Sequence, residues 1–164
     1  MTIRHATLTD AAAIAEIWNA AIREPHITFT TILKTTEGTG ALIAERQAAG
    51  EPVFVAELDG KVVGFATYST FRAGPGYQRT KEHSINLAPA GRGKGFGRAL
   101  MGALEAHAAE AGVHSLIAGI SGANPDGIAF HERLGFTLVG TIPEAGWKYG
   151  EYLDLVLMQK RIGW

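Results

Sequence analysis

Not one of the 164 residues is a cysteine. A disulfide framework, a thiolate metal site and a cysteine nucleophile are therefore excluded. No stretch approaches the ~18 apolar residues that a membrane-spanning helix needs. The N-terminus carries His5, Thr7 and Asp10 within ten residues and lacks the basic start and apolar run of a secretory leader. Net charge is nearly absent as well. Fifteen basic side chains against 16 acidic ones give −1, so neither nucleic acid nor a membrane surface is expected as a partner. What remains is 46% hydrophobic and 19% charged residues, the composition of a globular protein. The expectation is one cytoplasmic domain spanning residues 1–164.

Glycine, in contrast, is plentiful and concentrated. Gly91, Gly93, Gly95 and Gly97 alternate just before a helical pattern begins, and Pro89 breaks the extended run ahead of them. Residues without Cβ let the backbone adopt positive φ and approach a ligand, and the first N–H groups of a helix have no partners within it. Arg92, Lys94 and Arg98 add positive charge to that end, where the helix dipole already favours an anion. Phosphate is the expected guest; a glycine-rich turn with solvated basic residues is the plainer alternative. Two familiar phosphate loops do not fit. The dinucleotide fingerprint needs a third glycine where Phe96 or Arg98 stands, and the Walker A pattern needs Ser or Thr where Gly95 follows Lys94.

The remaining elements follow from periodicity and turn chemistry. Ile3 to Ala6 is a short strand, and Thr9 or Asp10 caps a helix with apolar Ile14, Ile17, Trp18, Ala21 and Ile22, ended by Pro25. A second helix spans Glu37 to Ala49 before Gly50. Pro52 to Leu58 and Lys61 to Tyr68 flank Asp59-Gly60 as a β-hairpin. Lys81 to Leu87 is the strand leading into the glycine loop, after a turn at Gly74-Pro75-Gly76. The next helix buries Phe96, Ala99, Leu100, Ala103, Leu104 and Ala111, and stops at Gly112. Ser115 to Ile120 is a buried strand, Asn124-Pro125-Asp126 caps a helix ending at Gly135, and Phe136 to Ile142 and Tyr149 to Lys160 are the last strands. The fold class is α/β (α+β), with about four helices.

Arg92-x-x-Gly95-x-Gly97 between a strand and an amphipathic helix resembles the acetyl-coenzyme A pyrophosphate loop of the GCN5-related N-acetyltransferases. The element order is similar to that family's mixed, largely antiparallel central sheet. Asn124 to Phe136, with Leu134-Gly135-Phe136 at its end, is similar to the family's late helix. Lys81-Glu82-His83-Ser84 and Gly146-Trp147-Lys148-Tyr149-Gly150, with Phe29 and Tyr68 to Phe71, look like the phosphinothricin and methionine sulfoximine N-acetyltransferases within it. The resemblance implies a homodimer that transfers acetyl from acetyl-CoA to a small amino-acid-like amine, without a metal. It implies that Ile85, Asn86 and Leu87 pair with the pantetheine and Asn124 contacts it. Arg92, Gly93, Lys94, Gly95, Phe96, Gly97 and Arg98 would surround the pyrophosphate. Phe29, Arg72, Ala73, Gly74, Glu82, His83, Ser84, Trp147 and Lys148 would form the acceptor site.

Acyl transfer to nitrogen needs a base for the ammonium, a polarised carbonyl and a proton for the leaving thiolate. Without cysteine, direct transfer in a ternary complex is the economical route. Glu82 is the candidate base; its plainer reading is a surface carboxylate paired with Lys81 or Arg79. His131 stands where the family often has a proton-donating tyrosine, and it is either the general acid or a structural hydrogen-bonder. An acidic acceptor needs cations, for which Arg72, Arg79, Lys81 and Lys148 are available, with Phe29, Trp147 and Tyr152 as walls. Two alternatives stay open: another amine, such as a protein N-terminus or a polyamine, and a non-catalytic acyl-CoA-binding module.

Overall fold

The computed structural model describes residues 1–163. Its elements run β1 (Thr2–His5), α1 (Ala11–Arg23), α2 (Thr36–Ala48), β2 (Val53–Leu58), β3 (Lys61–Thr70), β4 (Thr80–Leu87), α3 (Phe96–Glu110), β5 (Ser115–Ser121), α4 (Pro125–Arg133), β6 (Thr137–Lys148) and β7 (Glu151–Arg161). The seven strands form one sheet in the order β1-β2-β3-β4-β5-β7-β6. Every pairing is antiparallel except β4 with β5. No helix of the described residues is long and apolar enough to cross a membrane.

Strand alternation divides the core into two layers. Phe54, Ala56, Ala66 and Tyr68 pack with Leu100, Leu104 and Ala108 of α3. Their neighbours Val53, Val55 and Phe65 face the other way, against Ile14 and Ile17 of α1 and Ile43 of α2. Leu100 and Leu104 are fully buried, which contributes about 2 kcal/mol each by removal of apolar area from water.

Local chemistry sets the boundaries. Asp59 (φ 51°) and Gly60 (φ 75°) form the two-residue turn expected between β2 and β3. Asn124 caps α4, its side-chain oxygen accepting from the Gly127 N–H, with Pro125 in the first turn. Strand β6 departs from expectation: it runs on from Ile142 to Lys148 and joins β7 through a tight turn at Tyr149 (φ 50°) and Gly150 (φ 78°). Register shifts between Leu138 and Gly140 and between Ile142 and Gly146 interrupt its alternation, which hid this extension in the sequence.

Candidate active site

The parallel pair β4–β5 holds for only three residue pairs, Thr80 with Ser115, Lys81 with Leu116 and Glu82 with Ile117. Beyond Glu82 the strands part. His83 to Leu87 stay with β3, while Ala118 to Ser121 stay with β7. The fork leaves the far edge of β4 beyond Glu82 without a strand partner among the described residues, an internal edge that offers N–H and C=O groups for pairing. A cleft of about 790 Å3 passes through it. Glu82, Ser84, Ile85, Asn86 and Leu87 form one wall; Ala118, Gly119, Ile120, Asn124, Phe130 and His131 form the opposite one. Ile17, Trp18 and Ala21 of α1, with Glu24, Ile27 and Thr28 beyond it, complete the lining of the cleft.

At one end of the cleft lies a depression of about 260 Å3 lined by Gly93, Gly95, Phe96, Gly97, Arg98, Phe130 and Arg133. Gly93 (φ 71°) and Gly95 (φ 85°) take left-handed backbone conformations, and Gly95 is the N-cap of α3. Its missing side chain leaves the start of α3 uncapped. The N–H groups of residues 93–98 make no hydrogen bond to any described residue, so six amides at a positive helix end are free for an anion. Gly97 is fixed by packing: a Cβ there would stand 2.9 Å from the Phe130 ring. Residues and geometry thus fit a pyrophosphate. Arg92 borders the cleft itself, whereas Lys94 is exposed and lines neither cavity.

Glu82 sits at the apex of the fork, its backbone paired in the sheet and its carboxylate without a hydrogen bond or ion pair to any described residue. The plainer reading, a surface pairing with Lys81 or Arg79, is not found: alternation sends Lys81 to the opposite face, where its ammonium lies 3.3 Å from Glu51, and no ion pair joins Arg79 to Glu82 among the described residues. Glu82 keeps access to the cleft, yet the walls exclude enough water to push its pKa above the ordinary carboxylate value. A carboxylate left unpaired and raised in a cleft is suited to accepting a proton.

The two histidines form a buried bridge across the fork. His131 Nδ1 donates to the Gly127 carbonyl at 2.7 Å, which leaves its Nε2 as acceptor for the His83 Nε2–H at 2.9 Å. Burial pushes both pKa values down; at His83 the neighbouring His131 imidazole disfavours protonation further, while at His131 the bond to the Gly127 carbonyl opposes part of the shift. Neutral, with its only N–H committed to a carbonyl, His131 is arranged to tie α4 to β4. That geometry favours the hydrogen-bonding role over proton donation.

The acceptor residues read from the sequence are not all brought together. Glu82, His83 and Ser84 line the cleft. Arg72, Ala73 and Gly74 are exposed on the loop between β3 and β4, outside the cleft lining, where Phe71 packs edge-on to Tyr77. Arg79 is exposed on the same loop. Lys148 is buried, with its ammonium bonded to the Glu24 carbonyl and the Thr28 hydroxyl. Phe29 covers Gly146, and Trp147 is exposed against Tyr152. The supply of cations expected for an acidic acceptor is therefore not in this cleft. Trp18, Asp126 and Arg133 were not read from the sequence as site residues; α1 and α4 carry them there only through packing.

Residues 13–136 match the acetyltransferase (GNAT) family. The chain belongs to that family. It is 39% identical over 162 residues to the L-methionine sulfoximine/L-methionine sulfone acetyltransferase of Salmonella typhimurium, covering 99% of this chain and 95% of that one. The yncA protein of Salmonella typhimurium, solved with its cofactor acetyl-CoA, superimposes with a TM-score of 0.96 at 38% identity, covering all of this chain and 95% of the other. A ribosomal-protein-alanine N-acetyltransferase of Brucella melitensis gives 0.95 at 40% identity, covering 99% of this chain and all of the other. The expected mixed sheet and the resemblance to methionine sulfoximine acetyltransferases both stand. Among the described residues no group of three His, Asp or Glu side chains is arranged to hold a metal ion.

Proposed function

We propose that this acetyltransferase moves the acetyl group of acetyl-CoA to the amino group of a small amino acid of the methionine sulfoximine or phosphinothricin kind, by direct transfer in a ternary complex. The observation that carries it is the unpaired Glu82 at the fork apex, between a free-amide anion loop and the apolar wall of α1. The N–H groups of residues 93–98 hold the pyrophosphate and the free edge of Ile85 to Leu87 pairs with the pantetheine. Asn124 uses its side-chain oxygen on Gly127, leaving its amide nitrogen to face the coenzyme arm. Glu82 takes one proton from the ammonium, the freed lone pair attacks the thioester carbonyl to form the C–N bond, and the C–S bond breaks as the tetrahedral intermediate collapses; the second proton lost by nitrogen is matched by the one the thiolate takes up from solvent, and Glu82 returns its proton to solvent. The His83–His131 bridge holds the two jaws in register.

A second reading, acetylation of a protein N-terminal alanine, is favoured by the likeness to the Brucella protein. Against it, α1 and the segment after it stand as a wall beside Glu82 that a small amino acid can lie against and a peptide chain would have to pass. Thiol release measured with a panel of amines decides between them. Methionine sulfoximine or phosphinothricin should give kcat/KM at least ~10²-fold above spermidine or a peptide beginning with alanine, since an enclosed pocket discriminates strongly against what it cannot surround. A peptide or polyamine that wins the comparison overturns the acceptor assignment, and absence of turnover with every amine leaves an acyl-CoA-binding module.

Homodimerisation is part of the same proposal. Leu138, Val139, Ile142, Trp147 and Tyr152 are 48–61% exposed on the hairpin β6–β7, a large apolar surface for a lone chain. Light scattering on the eluting protein should give about twice the 17.4 kDa of one chain. A mass of one chain at micromolar concentration refutes this.

A further inference from the structure

The hairpin β6–β7 does more than present an apolar face. Lys148 on it is 1% exposed, and no described carboxylate lies within salt-bridge distance of its ammonium. The ammonium donates to the Glu24 carbonyl at 2.6 Å and the Thr28 hydroxyl at 3.1 Å, with the Tyr149 ring at 5.5 Å. Its hydrogen bonds go only to neutral oxygens, with the Glu24 carboxylate acting from beyond ion-pair distance, and such a setting offsets lost hydration less well than a direct ion pair does. Methionine would fill much the same space without that cost.

The groups that Lys148 holds belong to the wall of the cleft. Glu24, Ile27 and Thr28 all line it, yet residues 24–35 contain no helix or strand to fix them. Two further contacts fasten the same segment to the same hairpin. A Cβ at Gly146 would stand 2.6–2.8 Å from ring carbons of Phe29, so the ring lies directly on the glycine backbone. His26 Nε2 is 3.0 Å from the Glu151 carboxylate. All three fastenings converge around the turn at Tyr149-Gly150, more than 110 residues away in the chain.

We propose that Lys148 is a positioning residue for the acceptor: with Gly146 it clamps the segment 24–29 onto the end of β6 and so fixes the acceptor wall of the cleft. The inference rests on the acyl-transfer reading of that cleft. Lys148 touches neither Glu82 nor the anion loop, so the clamp governs the acceptor half and leaves the coenzyme half alone. Its two acceptors are the Glu24 carbonyl and the Thr28 hydroxyl, so loss of the cation frees the segment without moving β4.

The test compares Lys148→Met with the unaltered protein in thermal stability, in the two Michaelis constants and in backbone hydrogen exchange. The expected result is a retained melting temperature, a KM for methionine sulfoximine raised ~10-fold or more, a KM for acetyl-CoA within about twofold, and faster exchange confined to residues 24–30. Gly146→Ala, which displaces the half-buried Phe29 ring, should give the same split and decides the matter if the first variant does not fold. A folded Lys148→Met protein with an unchanged acceptor KM overturns the clamp, and so does a parallel rise of both constants with a lowered melting temperature. If the unaltered protein acetylates no amine in the panel, the acyl-transfer reading fails separately; unchanged exchange at 24–30 in the variant then overturns the clamp, and faster exchange there upholds it.

Discussion

Replacing Glu82 by Gln is expected to lower turnover by ~10²–10⁴-fold, the usual contribution of a general base, while acetyl-CoA affinity stays nearly unchanged. The amide keeps the shape of the carboxylate at the fork apex and removes only its capacity to take a proton. Because the Glu82 carboxylate makes no bond to any described residue, no ion pair is broken, and its backbone pairing in the sheet is kept, so the fold should survive. The pH profile carries the sharper signature. Exclusion of water by the cleft walls raises the Glu82 pKa, so the base is lost as pH falls through a value above the ordinary carboxylate range. The acid limb of kcat/KM in the unaltered enzyme should therefore lie higher than an exposed glutamate would place it. In the variant that limb should vanish, and activity should recover in part at high pH, where more of the acceptor is already the free amine. Near-normal turnover of the variant at neutral pH would refute the base assignment.

Gly95→Val should weaken coenzyme binding by ~10–100-fold, corresponding to about 1–3 kcal/mol. Gly95 caps α3 at φ 85°, a left-handed conformation that a β-branched residue takes only at a cost. The variant must either pay that strain or turn the loop, and turning the loop re-aims the free N–H groups that follow it. Calorimetry with coenzyme A reads the affinity, and circular dichroism shows that the helix persists. Unchanged affinity in a folded variant sinks the anion-loop assignment.

The comparison of sequence with structure separates local rules from distant ones. The glycine loop was legible because its chemistry lies within seven consecutive residues: alternating glycines, a helix start and adjacent basic side chains. The Asp59-Gly60 turn and the Asn124-Pro125 cap were legible for the same reason, since both satisfy backbone groups two or three residues away. Extended β6 was missed because two register shifts erase the period of two on which strand recognition depends. The roles of long side chains were the least legible. Lysine reads as a cation available to a ligand, but Lys148 spends its charge on Glu24 and Thr28, over a hundred residues away. Arg72 reads as part of the acceptor site, yet the loop after β3 leaves it in solvent. Glu82 shows the division most clearly. The sequence by itself determined that a carboxylate stands in the strand three residues ahead of the coenzyme segment. Only the tertiary structure decided that β4 and β5 separate at that residue, because beyond it β4 follows β3 and β5 follows β7, pairings between segments distant in the chain, and with that separation the carboxylate stands unpaired in a cleft.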